Sequence, residues 1–189
     1  MILVDTSVFI DYLKGQNNDS TKRFEYILES KIPYGINDYI YQEILQGSRD
    51  LKEFSILKDY FETIPFYYLQ NGKESYEKAS MINILCKKNG ITIRSTIDLL
   101  IAETAIENNL YLLHNDNDFK FMSKVVKNLK IYEERLYWKL RITKVSTWEC
   151  YCHSFCFVHC VHAKTCANDA FQVKLMLARR CARGGNNIN

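Results

Sequence analysis

From Met1 to Tyr132 the apolar positions follow two rhythms, short continuous runs and longer stretches spaced every three or four residues. Short runs bounded by turn residues read as buried strands, and the wider spacing reads as helices with one apolar face. "MILVD" is the first strand, and "TSVFIDYLKG" follows as a helix with Thr6 or Ser7 as its cap and Gly15 as its stop. Ser20 to Ser30 reads as an amphipathic helix with Phe24, Ile27 and Leu28 inward. "IPYGI" is a short strand, "NDYIYQEILQGS" a helix capped by Asn37 and ended near Gly47, and "DLKEFSILKDYF" another helix. "TIPFYYL" is rich in strand formers. "KESYEKASMINILCKKNG" is a long helix stopped by Gly90. "STIDLLIAETAIENN" is a helix capped by Ser95 or Thr96, "LYLLHN" a strand, "DFKFMSKVVKN" a helix and "LKIY" a last short strand.

Strands alternating with helices predict an α/β chain with a parallel sheet covered on both faces. No internal repeat and no Pro- or Gly-rich linker interrupts it. Past Tyr132 the rhythm degrades, and "EERLYWKLRITKVSTWECYCHSFCFVHCVHAKTCAN" fits neither period. The expected organisation is one domain over residues 1–132 and an irregular tail over residues 133–189.

Composition sharpens that division. The net charge of +3 is uneven: Met1 to Tyr132 holds 16 basic and 18 acidic residues, and the remainder 9 and 4. Six of the seven cysteines and three of the four histidines also fall in the tail. No apolar run approaches the roughly 20 residues of a membrane span. The N-terminus has no basic start and carries Asp5 and Asp11 within its apolar stretch, unlike a secretory leader. A cytoplasmic protein without membrane attachment is the expectation.

The candidate chemistry lies in carboxylates that interrupt apolar patterns. Asp5 ends the first strand and Asp116 follows the late one, where ligands bind in open parallel sheets. Alone, either reads equally well as a turn or cap residue. Glu43 has Ile36, Tyr39 and Ile40 at helical spacing, and Asp98 has Ile101, Ala102 and Ala105, so both sit on apolar faces. Asp98 also fits a capping box with Ser95, and Glu43 fits a face edge that reaches solvent. Buried carboxylates need partners or metal ions, and Arg94 is the nearest basic residue to this set. An all-oxygen cluster suits Mg²⁺ or Mn²⁺.

The stretches "ILVDTSVFIDYLKG", "QEILQG", "GITIRSTIDLLIAETAI" and "LLHNDNDF" together resemble the PIN-domain nucleases, specifically the VapC-type toxins of bacterial and archaeal toxin–antitoxin pairs. The resemblance covers about Met1 to Tyr132. It implies a three-layer α/β/α domain with a short central parallel sheet. The implied activity is that of a metal-dependent endoribonuclease using Mg²⁺ or Mn²⁺. The family's catalytic acids carry over to Asp5, Glu43, Asp98 and Asp116, with Asp5, Asp98 and Asp116 as the main metal ligands. Ser7, Thr6, Asp118 and Arg94 are supporting candidates. Where many relatives have Thr, this chain has His114, which reads as a strand-end residue with a satisfied ring. An RNA substrate, a cognate antitoxin and a homodimer are the implied partners. Lys14, Arg49, Lys87 and Lys88 are candidates for holding phosphate, and Tyr12, Tyr39 and Tyr41 for stacking on bases, although solvated and core roles fit them as well.

The rival readings are an inactive interaction module of the same fold, a Mg²⁺-dependent DNase and another Mg²⁺-dependent phosphoryl enzyme. In the tail, Cys150, Cys152, Cys156, Cys160, Cys166 and Cys181 give no clear pair of zinc knuckles. Disulfides conflict with a cytoplasmic location. The leading expectation is that the tail does not form an independent domain, with a frameshift or an altered stop codon as one origin that would account for it and structural zinc as the less favoured alternative.

Overall fold

The computed structural model describes residues 1–133. The expectations for the cysteine-rich segment, including zinc and disulfides, lie outside the described residues. Four strands, β1 (Ile2–Val4), β2 (Tyr34–Gly35), β3 (Tyr111–Leu113) and β4 (Lys130–Ile131), form one parallel sheet in the order β2-β1-β3-β4. Seven helices accompany them among the described residues: α1 (Thr6–Leu13), α2 (Asp19–Glu29), α3 (Asp38–Gln46), α4 (Leu51–Phe61), α5 (Lys73–Lys88), α6 (Thr96–Glu107) and α7 (Asn117–Val125). Helix α1 packs against α2 and α3, and α3 against α4; α5 packs against α6 and α7. The α/β class and the short parallel sheet match the expectation.

The strands are short because each is a run of a few apolar residues flanked by polar ones. Ile2, Leu3 and Val4 are all buried, as are Leu112 and Leu113. An aromatic cluster locks α1 onto α2 and α4: Phe9 meets Phe24 and Phe61 edge to face, with ring centroids 5.2 and 5.0 Å apart. Each buried ring contributes about 1.5–3 kcal/mol through removal from water.

The sheet order sets the position of the site. From β1 the chain returns to β2 on one side, and later to β3 on the other. The two halves diverge at the carboxyl ends of β1 and β3, leaving a crevice there. Asp5 N donates to Leu113 O at 2.9 Å and holds the two strand ends together.

Two local expectations change. Asp5, rather than Thr6 or Ser7, is the N-cap of α1, since its side chain accepts from Ser7 N. "TIPFYYL" forms no strand; it makes a single parallel bridge, Ile36 to Phe66. Pro65 supplies no backbone N–H for a ladder. Its carbonyl accepts from Ile36 N at 3.0 Å, and Tyr67 N donates to Ile36 O at 2.8 Å. Gly35 permits this approach, because a Cβ there would stand 2.4 Å from Pro65 O.

Candidate active site

Each acidic side chain in the crevice arrives by a distinct local route. Asp5 leaves β1 in extended conformation and caps α1, which turns its carboxylate inward, 5% exposed. The carboxylate accepts from Ser7 N at 3.0 Å and from the Ser7 hydroxyl. Burial pushes its pKa up to about 6 against those hydrogen bonds, and the Glu43 charge adds to the rise. The Ser7 hydroxyl also accepts from Asn115 N at 3.0 Å, which ties the start of α1 to the loop after β3. That loop is further clamped by Asp11, whose Oδ2 accepts from Asn115 Nδ2 at 2.7 Å and Asn18 Nδ2 at 2.8 Å.

Glu43 projects from α3 and accepts the Thr6 hydroxyl at 2.6 Å. Asp98 lies in the first turn of α6. The Ser95 side chain caps that helix by accepting from Ile97 N, and Asp98 completes no reciprocal box. Among the described residues its carboxylate accepts no hydrogen bond at all. Burial, then the charges of Asp5, Asp116, Asp118 and Glu43, push its pKa up to about 7. Asp116 caps α7, accepting from Asp118 N at 2.8 Å.

These side chains share a cleft of about 520 Å³. Asp5, Thr6, Ser7, Glu43, Asp98 and Asp116 give its polar wall, and Ile10, Ile97 and Phe119 its apolar one. The donor set is all oxygen, as Mg²⁺ or Mn²⁺ requires. Among the described residues, no three His, Cys, Asp or Glu side chains converge closely enough to enclose an ion as they stand. Closure is not required of the protein, since Mg²⁺ keeps several waters and takes one or two carboxylates. Asp98 sits in the field of four other acids, a charge that a bound cation would offset. The residues present fit a divalent ion.

A model of the PIN domain matches residues 2–125, most of the chain. The chain belongs to the PIN-domain family. Among its relatives are the VapC11 ribonuclease of Mycobacterium tuberculosis and the VapC ribonuclease Mb1587 of Mycobacterium bovis. Each is 26% identical over 126 residues, covering 66% of this chain and 93% of the relative. The fold is shared with VapBC2 of Rickettsia felis, solved on a promoter DNA fragment, at 19% identity and TM-score 0.53. That match covers 70% of this chain and 98% of the other. FitAcB of Neisseria gonorrhoeae matches at 20% identity and TM-score 0.51 over 70% and 97%.

Within this PIN domain the remaining candidates separate clearly. Asp118 is buried and turned away from the cleft, where it accepts from Arg94 Nε at 3.2 Å and Arg94 N at 3.3 Å. Arg94 also reaches Asp116, with Nη2 3.5 Å from Oδ1, so it neutralises the rim and makes no ion pair with Asp98. His114 Nδ1 accepts from Asp116 N at 3.2 Å, and burial takes the ring's pKa down to about 4, so the ring is neutral at pH 7. None of Lys14, Arg49, Lys87 and Lys88 lines the cleft, and Arg49 pairs with Glu53. Nor do the tyrosines: Tyr12 packs on Phe24, Tyr41 on Phe66, and Tyr39 bonds Tyr76. The sequence reading passed over Asn115 and Asp11, which fix the geometry around Ser7.

Proposed function

We propose that this PIN domain is a divalent-metal-dependent endoribonuclease, the toxin of a VapC-type toxin–antitoxin pair acting in the cytoplasm. One observation carries the reading: carboxylates from four separate elements face one cleft, and one of them, Asp98, has no hydrogen-bond donor among the described residues. A carboxylate so placed is costly unless something from outside supplies positive charge. The names of the two mycobacterial relatives support RNA as the substrate, and the VapBC complexes support an antitoxin as the partner. A homodimer fits the same reading. The folded unit is taken to end near Tyr132.

Asp5, Asp98 and Asp116 would hold the ion. When bound, a divalent ion supplies Lewis-acid stabilisation of the phosphate and lowers the pKa of a bound water. The chain's own groups set the rest. Ser7 fixes the Asp5 carboxylate through its amide and hydroxyl, so that its free lone pairs face the cleft. Thr6 holds one oxygen of Glu43 and leaves the other to orient the attacking water. Arg94 holds Asp118 out of the cleft and steadies Asp116, with its charge at the rim where a phosphate enters. Ile10, Ile97 and Phe119 give the cleft an apolar wall beside these charges.

The test compares wild-type, Asp5→Asn and Asp98→Asn chains on RNA, DNA and a small phosphate ester. RNA cleavage by wild type alone, stopped by EDTA and restored by Mg²⁺ or Mn²⁺, is the expected result. Equal cleavage by the variants, or full activity in metal-free buffer, overturns the reading.

A further inference from the structure

A second cavity, of about 470 Å³, opens on the other side of Asp116. Its walls come from the start of α2, the β3–α7 loop, α7 and the chain beyond β4. Arg23 and Lys120 both line it, and neither is in an ion pair among the described residues. Asn115, Asn117, Asp19 and Glu133 complete the polar wall. Asp116 is the one acid common to both cavities.

We propose that this cavity is the subsite for the nucleotide adjoining the scissile bond. Arg23 and Lys120 hold its phosphate, and the amide and carboxylate groups meet the edge of its base. The inference rests on the nuclease reading of the neighbouring cleft. Three features favour it. The two cavities meet at Asp116, so a strand with one phosphate among the acids passes directly into the second. The volume suits a nucleotide, within the roughly 300–1,000 Å³ of small-ligand pockets. The domain carries more acidic than basic residues from Met1 to Tyr132, so RNA needs a local basic foothold. Arg23 and Lys120 give one beside the acids, where Lys14, Arg49, Lys87 and Lys88 do not. A base that presents an exocyclic amine also finds acceptors in the carboxylates and amides.

The experiment uses the full chain and a short single-stranded RNA. Arg23→Gln/Lys120→Gln is the test variant, and Arg23→Glu/Lys120→Glu the stronger form. Thermal melting confirms that each is folded. KM for RNA should rise about tenfold with kcat within about threefold of wild type. The slope of log affinity against log salt should fall by about 0.7, the value for one phosphate no longer neutralised on a single strand. A folded glutamine variant with wild-type KM and salt slope, while wild type cleaves RNA, overturns the subsite and leaves the nuclease reading standing. Loss of antitoxin affinity with RNA KM unchanged assigns the cavity to the protein partner and overturns it equally. A wild-type chain that neither binds nor cleaves RNA removes both.

Discussion

Helix α6 carries carboxylates at both ends, and the two ends treat them oppositely. At its C-terminal end Glu107 accepts from Gln70 N at 2.7 Å, Asn71 Nδ2 at 2.8 Å and Ser75 Oγ at 2.9 Å. Lys78 stands 3.9 Å away. Burial raises the Glu107 pKa, but those hydrogen bonds and the Lys78 charge outweigh it and hold the group below its ordinary value. Beside it Glu103 is buried and raised, first by burial and then by the Glu107 charge. At the N-terminal end Asp98 meets other acids and, among the described residues, no donor. Surrounded by its own chain's donors, Glu107 has a structural role in pinning residues 70–75 to α6. Asp98 lies in the first turn of α6, where the helix N-terminus favours a negative charge, but among the described residues it pins no other segment by a hydrogen bond. Under the proposed reading, a carboxylate that holds a fold together is told from one that binds a ligand by its donors.

The sharpest way to break this comparison is to neutralise each end in turn. Asp98→Asn should lower RNA cleavage by at least roughly 100-fold, the upper range for loss of even an outer partner of a metal site. It should leave the melting temperature unchanged or raised, because it relieves repulsion. Glu107→Gln should do the reverse, keeping cleavage while costing about 1–3 kcal/mol of stability through weakened bonds to a charged acceptor. Cleavage assays and denaturant melts on both proteins check this, and a swap of the two outcomes would erase the distinction.

Metal should then stabilise one end only. Millimolar Mg²⁺ should raise the melting temperature of wild type and of Glu107→Gln by about 3 °C or more, by binding the folded state. It should leave Asp5→Asn nearly unmoved. Differential scanning fluorimetry with and without EDTA reads the shift, and an equal rise in Asp5→Asn would move the ion elsewhere.

The pH dependence should divide the same way. Asp5 and Asp98 have folded pKa values of about 6 and about 7. Both lie above the unfolded value of about 3.9, so the folded state binds their protons more tightly. In the absence of metal this contribution is full below about pH 4 and is lost as pH rises through 7. Glu107 is lowered, so its contribution is present at neutral pH and is lost as the solution becomes more acid than its folded pKa. Metal-free wild type should therefore lose stability from pH 5 to pH 7.5, and Asp98→Asn should lose less. Urea melts at the two pH values measure this. A smaller effect comes from Thr6→Val, which removes the hydroxyl that fixes Glu43. Its expected cost is about 1 kcal/mol in kcat, with stability nearly preserved.

The acids were legible in the sequence because each interrupts an apolar rhythm, Asp5 at a strand end and Glu43 and Asp98 on apolar helix faces. Their convergence on one cleft followed from parallel strands and short connections. The division of labour between Asp116 and Asp118 was not legible. Both begin the same helix, and the turn of the first residue into a cap sends the second toward Arg94. Asn115 and Asp11 escaped notice because the hydrogen bonds joining them to Ser7 and to each other span more than a hundred residues of chain. "TIPFYYL", rich in strand formers, makes only a single bridge, because side-chain preference is visible in a sequence while the effect of Pro65 on a ladder depends on where it lands.

The close passage of Pro65 over Gly35 has a consequence for how copies of this chain behave toward one another. β2 is the last strand on its side of the sheet, and a margin of that kind invites strand addition from a neighbouring molecule. Here Ile36 has both its backbone groups taken by Pro65 and Tyr67 of its own chain. The margin is thereby closed, and closure depends on a residue with no side chain. A larger residue at position 35 would clash with the Pro65 carbonyl and the Tyr67 ring and press that cover away from the sheet. The smallest residue in the sheet thus sets how closely the chain can fold over the edge of its own sheet.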